Sequence, residues 1–249
     1  MAMHVPLLSF LPSTTTTTNT TNTTTTTNTT KATMAMAEET RALASLAHAL
    51  DGSVSADDAG TRHVHVDAWI RVTQAVVRVF RRFGVAFAPA QSDLQRNVDK
   101  IQAFRAHHLH VEDMLLHEKQ MSTSQQDPSG TVAVLWTRRA FHFLWLALEA
   151  YVSKHVARVQ DVSLRRALSE SYARTLQPYH GVVLYLVFQS SLALAPRTEA
   201  FFTRLGYDVD EDQDVLVHDV EACVRGLRDL VEHVADFYVR HDLEDPRAV

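Results

Sequence analysis

Only two of the chain's seven prolines, Pro178 and Pro196, fall between positions 130 and 240, and the whole chain holds just seven glycines. Proline removes a backbone donor and glycine loosens a helix, so a long stretch poor in both has one economical way to satisfy its backbone, the α-helix. Thr131 to Val156 lies in that stretch. From Ala140 to Ala150 it is apolar nearly all round except at His142 and Glu149, the pattern of a helix buried on several sides.

The flanking segments obey the same logic. Glu38 to Leu50 reads as a short first helix, followed by a polar loop over Asp51 to Thr61. His65 to Phe83 places Val66, Trp69, Ile70, Val76, Val77 and Phe80 at helical spacing, and Gly84 ends it. Ala88-Pro89 then admits a helix from about Ala90 to His107, a further one spans Val111 to Met121, and Pro128 and Gly130 break the chain before the long apolar helix. Leu164 to Leu176 forms the next. Pro178 suits the first turn of another that runs to Leu194, where Pro196 stops it. A short helix through Phe201 and Phe202 ends near Gly206, and the last runs from about Val215 to His241. The pattern gives eight or nine helices, no convincing strand and no internal repeat.

Residues 13–30 are almost entirely Thr and Asn and hold nothing to bury, so residues 1–36 are expected to be a disordered tail ahead of one domain at 37–249. The N-x-T triplets at Asn19, Asn22 and Asn28 are what such a tract produces by chance. At 46% hydrophobic the domain can fill a core. A net charge of -5 argues against a general nucleic-acid binder, and no apolar run is long enough to span a bilayer. The single Cys223 excludes an intrachain disulfide and fits a reducing compartment, so a cytoplasmic location is expected.

Against this helical background a few polar residues stand out. Asp93, Asn97 and Lys100 are spaced to share one helix face, offering a carboxylate, an amide and an ammonium along one edge. Asn97 is uncomfortable inside a helix unless its amide has a purpose. Trp136 is followed by the polar Thr137, Arg138 and Arg139, which places its end of the helix near the surface and leaves an indole face as a platform for a sugar. His180 sits between Tyr179 and Gly181, and the glycine leaves room for close approach. Such a set can grip a polar head made of an amide and hydroxyls, with apolar helices behind it to take up hydrocarbon. No nucleophile elbow, glycine-rich phosphate cradle or carboxylate dyad is present, so an enzyme is not expected. His107, His108 and His110 lack a second cluster with ligand spacing, and the acidic run Asp208, Asp210, Glu211, Asp212 and Asp214 lacks the glycine and final glutamate of a calcium loop.

Together these residues resemble the glycolipid transfer protein family. The stretch from Phe87 through Asp93, Asn97 and Lys100 looks like that family's first signature, and Leu135-Trp136 through Phe143 is similar to its second. Tyr179-His180-Gly181, continued by Phe188-Gln189 and Leu192 through Pro196, resembles its third, and the likeness extends over roughly residues 65–242 in the family's order. The resemblance implies an all-α, two-layer helical sandwich of about eight helices enclosing a hydrophobic lipid pocket. It also implies roles: Asp93 accepts from a ceramide amide N–H, His180 donates to the amide carbonyl, Asn97 and Lys100 bond sugar hydroxyls, and Trp136 stacks on the first sugar. Phe80, Phe83, Phe87, Leu94, Val132, Leu176, Phe188 and Phe201 match the pocket lining. The implied activity is non-enzymatic transfer of glycosphingolipids between membranes by a monomer that touches the membrane transiently, with no cofactor and no metal.

Two departures qualify the likeness. Glycolipid-specific members carry a membrane-docking tryptophan where this chain has Val182, and Arg197 stands where an aromatic is usual. Docking then falls to Val182, Val183, Leu186 and Arg197 and is expected to be weaker or to favour anionic surfaces. A second branch of the family binds ceramide-1-phosphate through a basic residue at the place of Trp136. Trp136, with Ala140 one turn on, favours the sugar reading, whereas Arg138 and Arg139 keep the phosphate reading open, and a sphingolipid sensor or scaffold is the rival role.

Overall fold

The computed structural model describes residues 41–156, 163–208 and 212–247. The Thr/Asn tract and the boundary expected near residue 36 lie outside them, as do Asp210 and Glu211. The described chain runs α1 (Ala42–Leu50), β1 (Val54–Ala56), β2 (Arg62–Val64), α2 (Val66–Arg82), α3 (Ala88–Phe104), α4 (Val111–Gln120), α5 (Gly130–Val156), α6 (Leu164–Thr175), α7 (Val182–Ala193), α8 (Thr198–Arg204) and α9 (Gln213–Arg240). Two 3-10 turns, Val85–Phe87 and Gln177–Tyr179, precede α3 and α7. Among the described residues the architecture is all-α, a two-layer helical sandwich, apart from one small hairpin.

The long helix α5 organises the core and packs against α3, α4, α6 and α9, while α1 bridges α2 and α9. Its N-terminus is anchored by a residue that periodicity does not reveal. The buried Glu118 carboxylate accepts from the backbone N–H groups of Gly130 and Thr131 at 2.8 and 2.7 Å and from the Thr131 hydroxyl at 2.5 Å. Those are helix-end donors that would otherwise be orphaned, and a carboxylate there also complements the helix dipole. Farther along, Trp69 of α2 donates its indole N–H to the Thr137 hydroxyl at 3.0 Å, tying α2 to α5 through a buried bond. A second buried tie joins α9 to α4: His233 lies 2.7 Å from Glu112, whose carboxylate also accepts from the Val64 N–H.

The polar loop expected over 51–61 instead contains an antiparallel hairpin, with Val54 opposite Val64 and Ala56 opposite Arg62. Its strands are three residues each, too short to show a hydrophobic period. The turn holds it: the Asp57 carboxylate accepts from the Ala59 and Thr61 N–H groups, and Gly60 takes a φ of 80°.

Two other boundaries shift. The third helix begins at Ala88 and stops at Phe104 rather than running from 90 to 107. Pro178 does not open α7 but lies in the preceding 3-10 turn; His180 is extended, at φ -99° and ψ 124°, and α7 starts only after Gly181. That interruption frees the His180 side chain from a helix face.

Candidate functional site

A cavity of about 380 Å³ opens between α3, α5, α7 and the segment that joins α6 to α7. All five headgroup candidates line it: Asp93, Asn97 and Lys100 from α3, Trp136 from α5, and His180 from the extended residue before α7. The spacing read along α3 therefore brings its three polar side chains to one wall. Asn97 is only 6% exposed, within a helix that has few other buried positions.

The apolar candidates divide. Phe80, Phe87, Leu94, Val132, Leu176 and Phe188 line the cavity, joined by Ala140, Leu184 and Val187. Phe83 and Phe201 are absent from its lining; their rings stack on each other at 4.3 Å in the core, with Phe83 in turn 4.9 Å from Phe87. They form an aromatic layer behind the wall. Periodicity cannot separate wall from backing, since both are buried and apolar.

The rim is already paired within the chain. Asp93 accepts from the Arg96 guanidinium at 3.0 Å, and Lys100 meets the exposed carboxylate of Asp127. Arg96 itself lines the cavity, a cation inside the Asp93–Asn97 turn that helical spacing does not set apart from a solvated surface residue. His180 has its Nδ1 atom 3.0 Å from the Tyr172 hydroxyl, and its ring lies 6.0 Å from that of Trp136 at 26°. Burial holds its pKa below the usual histidine value against the opposing pull of Asp93, with Arg139 acting in the same direction as burial. The imidazole is thus neutral at neutral pH, able to donate one hydrogen bond and accept one.

The polar run after Trp136 does not face solvent, contrary to the sequence expectation. Thr137, Arg138 and Arg139 are all buried. The C-terminal segment covers the two arginines: Arg138 pairs with Glu244 at 2.5 Å, and Arg139 donates to the Asp245 carbonyl. Arg139 also spreads over the rings of Tyr179 and Trp136, at 3.4 and 4.9 Å. Neither arginine is part of the cavity lining. Trp136 keeps a partly exposed face because it looks into the cavity while its neighbours look away.

Beside the cavity, α7 exposes Val182 and Val183 at 76% and 74%, together with Leu186. The Ser191 hydroxyl bonds the Ala86 carbonyl at 2.7 Å, which brings the turn carrying the fully displayed Val85 next to α7. Arg197 is exposed just beyond the helix. Among the described residues no helix is long and apolar enough to cross a membrane. The histidine cluster lies elsewhere: His110 stacks on His63 and pairs with Asp113, and His108 packs near His117.

Residues 64–207 match the family model described as glycolipid transfer protein. Pleckstrin homology domain-containing family A member 8 of Danio rerio is 30% identical over 177 residues, which are 67% of this chain and 30% of that protein, so the chain spans under a third of that relative's length. Among solved structures, the glycolipid-transfer fold of FAPP2, described as selecting simple glycosphingolipids, superposes with a TM-score of 0.69 at 24% identity, covering 82% of this chain and 96% of that one. A point mutant of Arabidopsis accelerated-cell-death 11, complexed with ceramide-1-phosphate, gives a TM-score of 0.72 at 17% identity over 82% of this chain and 98% of that one. At these identities the structural likeness establishes the fold.

Proposed function

Because the chain belongs to the glycolipid transfer protein family, we propose that it carries glycosphingolipids between membranes without catalysing any reaction on them. The observation that carries this reading is the convergence of Asp93, Asn97, Lys100, Trp136 and His180 on one cavity whose other walls are apolar. Asp93 accepts from the lipid amide N–H and His180 donates to its carbonyl, so an amide entering a dry site is satisfied at both ends. Asn97 and Lys100 bond sugar hydroxyls, and Trp136 offers its ring to the sugar face. Phe80, Phe87, Leu94, Val132, Leu176 and Phe188 receive the start of the hydrocarbon, with Phe83 and Phe201 backing them.

The energetic need is plain. Each CH₂ moved from bilayer to water costs about 0.8 kcal/mol, so a two-chain lipid with roughly 30 of them faces a cost on the order of 20 kcal/mol. An apolar cavity lowers that cost for the part of the chains it takes in by replacing bilayer with protein. The uncovered valines of α7 beside the cavity supply a transient membrane contact, from which the lipid passes in without crossing water.

Lipids retained through purification and identified by native mass spectrometry test the assignment. Neutral glycosphingolipids are the expected cargo; a predominance of phosphate-headed sphingolipids would replace it. One observation favours that second reading: Arg96 and Lys100 both line the cavity, giving two cations where the sugar reading uses one. A sensor would differ in kinetics, binding the lipid tightly while moving it slowly between vesicles.

A further inference from the structure

We propose that Tyr172 is a positioning residue for the headgroup cavity, donating its phenolic hydrogen to Nδ1 of His180 and thereby holding the Nε2–H tautomer toward the lipid. The inference rests on the headgroup reading of the cavity and adds to it the atom that sets the polarity of His180. Nothing in the helical pattern of α6 distinguishes Tyr172 from an ordinary core residue, and it does not itself line the cavity.

The hydroxyl lies 3.0 Å from Nδ1, and Tyr172 is wholly buried. A buried O–H without an acceptor is costly, and among the described residues Nδ1 is the partner recorded for this one. Were Nδ1 the protonated nitrogen, it would donate to the phenolic oxygen, and the phenol's own hydrogen would be left without a destination. Nδ1 therefore accepts, and the single hydrogen of the neutral ring resides on Nε2. Burial supports both halves of this arrangement. It holds the His180 pKa down, so the ring is neutral, and raises that of Tyr172 to about 12, so the phenol keeps its hydrogen.

The holder is needed because His180 sits outside any helix, extended between a 3-10 turn and α7, where the backbone alone does not aim the ring. Tyr172 is itself held fast, its ring lying parallel to that of Phe188 at 3.9 Å and 9°. Phe188 is a cavity wall, so the same phenol packs behind the hydrocarbon site and orients the polar one. A histidine with the opposite tautomer would present a lone pair to the cavity. It would then accept a hydrogen bond and repel an amide carbonyl.

Long-range ¹H–¹⁵N correlation spectra of the lipid-free full chain read the tautomer directly, with His180→Leu identifying the resonance. The expected wild-type signature is a pyridine-like Nδ1 and a pyrrole-like Nε2, and Tyr172→Phe should mix the two forms. A wild-type ring protonated at Nδ1, or an unchanged tautomer in Tyr172→Phe, overturns the proposal. Should that variant fail to fold, the wild-type spectrum alone decides. Binding supplies a second arm: Tyr172→Phe should weaken glucosylceramide by about three- to tenfold, the worth of one hydrogen bond. It should leave glucosylsphingosine, which lacks the acyl carbonyl, bound as by wild type. Equal losses for both lipids make Tyr172 merely structural. Failure of the headgroup reading looks different: His180→Leu would then bind glucosylceramide as well as wild type, whatever the tautomer.

Discussion

Helices α5 and α7 read alike in the sequence, each an apolar run with few charges, yet the protein treats them oppositely. Along α5, Phe141, Phe143, Leu144 and Leu148 are buried by neighbouring helices on several sides. Along α7, Phe188 and Leu192 are buried and Leu184 and Val187 face the cavity, while Val182, Val183 and Leu186 meet solvent. Apolar composition states that a surface wants cover; it does not state what provides it. For α5 the cover is protein. For α7 the protein stops short, and what remains uncovered lies beside the cavity; under the proposed function a membrane does the covering.

Substitutions on the two helices should therefore separate stability from transfer. The largest effect belongs to Phe143→Ala, which removes a ring packed against Phe80 and Phe188. It is expected to cost about 3–5 kcal/mol and to lower the melting temperature by roughly 10 °C, followed by circular dichroism. Val182→Asp with Val183→Asp inverts the outcome. The melt should move by no more than about 2 °C, as for surface changes, while association with vesicles should fall at least about tenfold, because two anchoring side chains each worth roughly 1.5 kcal/mol are lost. A large drop in melting temperature there would mean that α7 is a core helix after all.

At Trp136 and Arg96 the effects are smaller. Trp136→Arg should reduce monohexosylceramide transfer by about fivefold, since it removes an aromatic platform of about 1 kcal/mol, and should increase binding of ceramide-1-phosphate measured on vesicles. Arg96→Ala is expected to alter glycolipid affinity by no more than about threefold, in the direction of tighter binding. It releases Asp93 from an exposed pair that is itself worth roughly 0–1 kcal/mol. A marked weakening in titrations would instead make Arg96 a direct ligand of the headgroup.

The helices were legible because their signals are periodic and dense, and the convergence of Asp93, Asn97 and Lys100 because they share one face of one helix; that Trp136 and His180 line the same cavity rested on the family resemblance. Three features escaped for physical reasons. The hairpin over 54–64 is set by an aspartate's turn bonds, which leave no hydrophobic trace. The burial of Arg138 and Arg139 depends on Glu244 and Asp245, which pack there only in three dimensions. Phe83 and Phe201 match the same pattern as the cavity wall, and whether a buried ring faces space or another ring is decided by packing alone.

The clamp on the lipid amide is the most exposed element of the account, and intermembrane transfer of a fluorescent monohexosylceramide tests it most directly. Asp93→Val and His180→Leu should each slow transfer by at least about tenfold, since a buried amide left without one partner loses about 1–3 kcal/mol and more where that partner is charged. Both proteins should keep the wild-type helical circular dichroism, because these side chains line a cavity rather than fill the core. Folded variants that transfer the lipid at the wild-type rate would contradict the clamp and, with it, the assignment of this cavity to the glycosphingolipid headgroup.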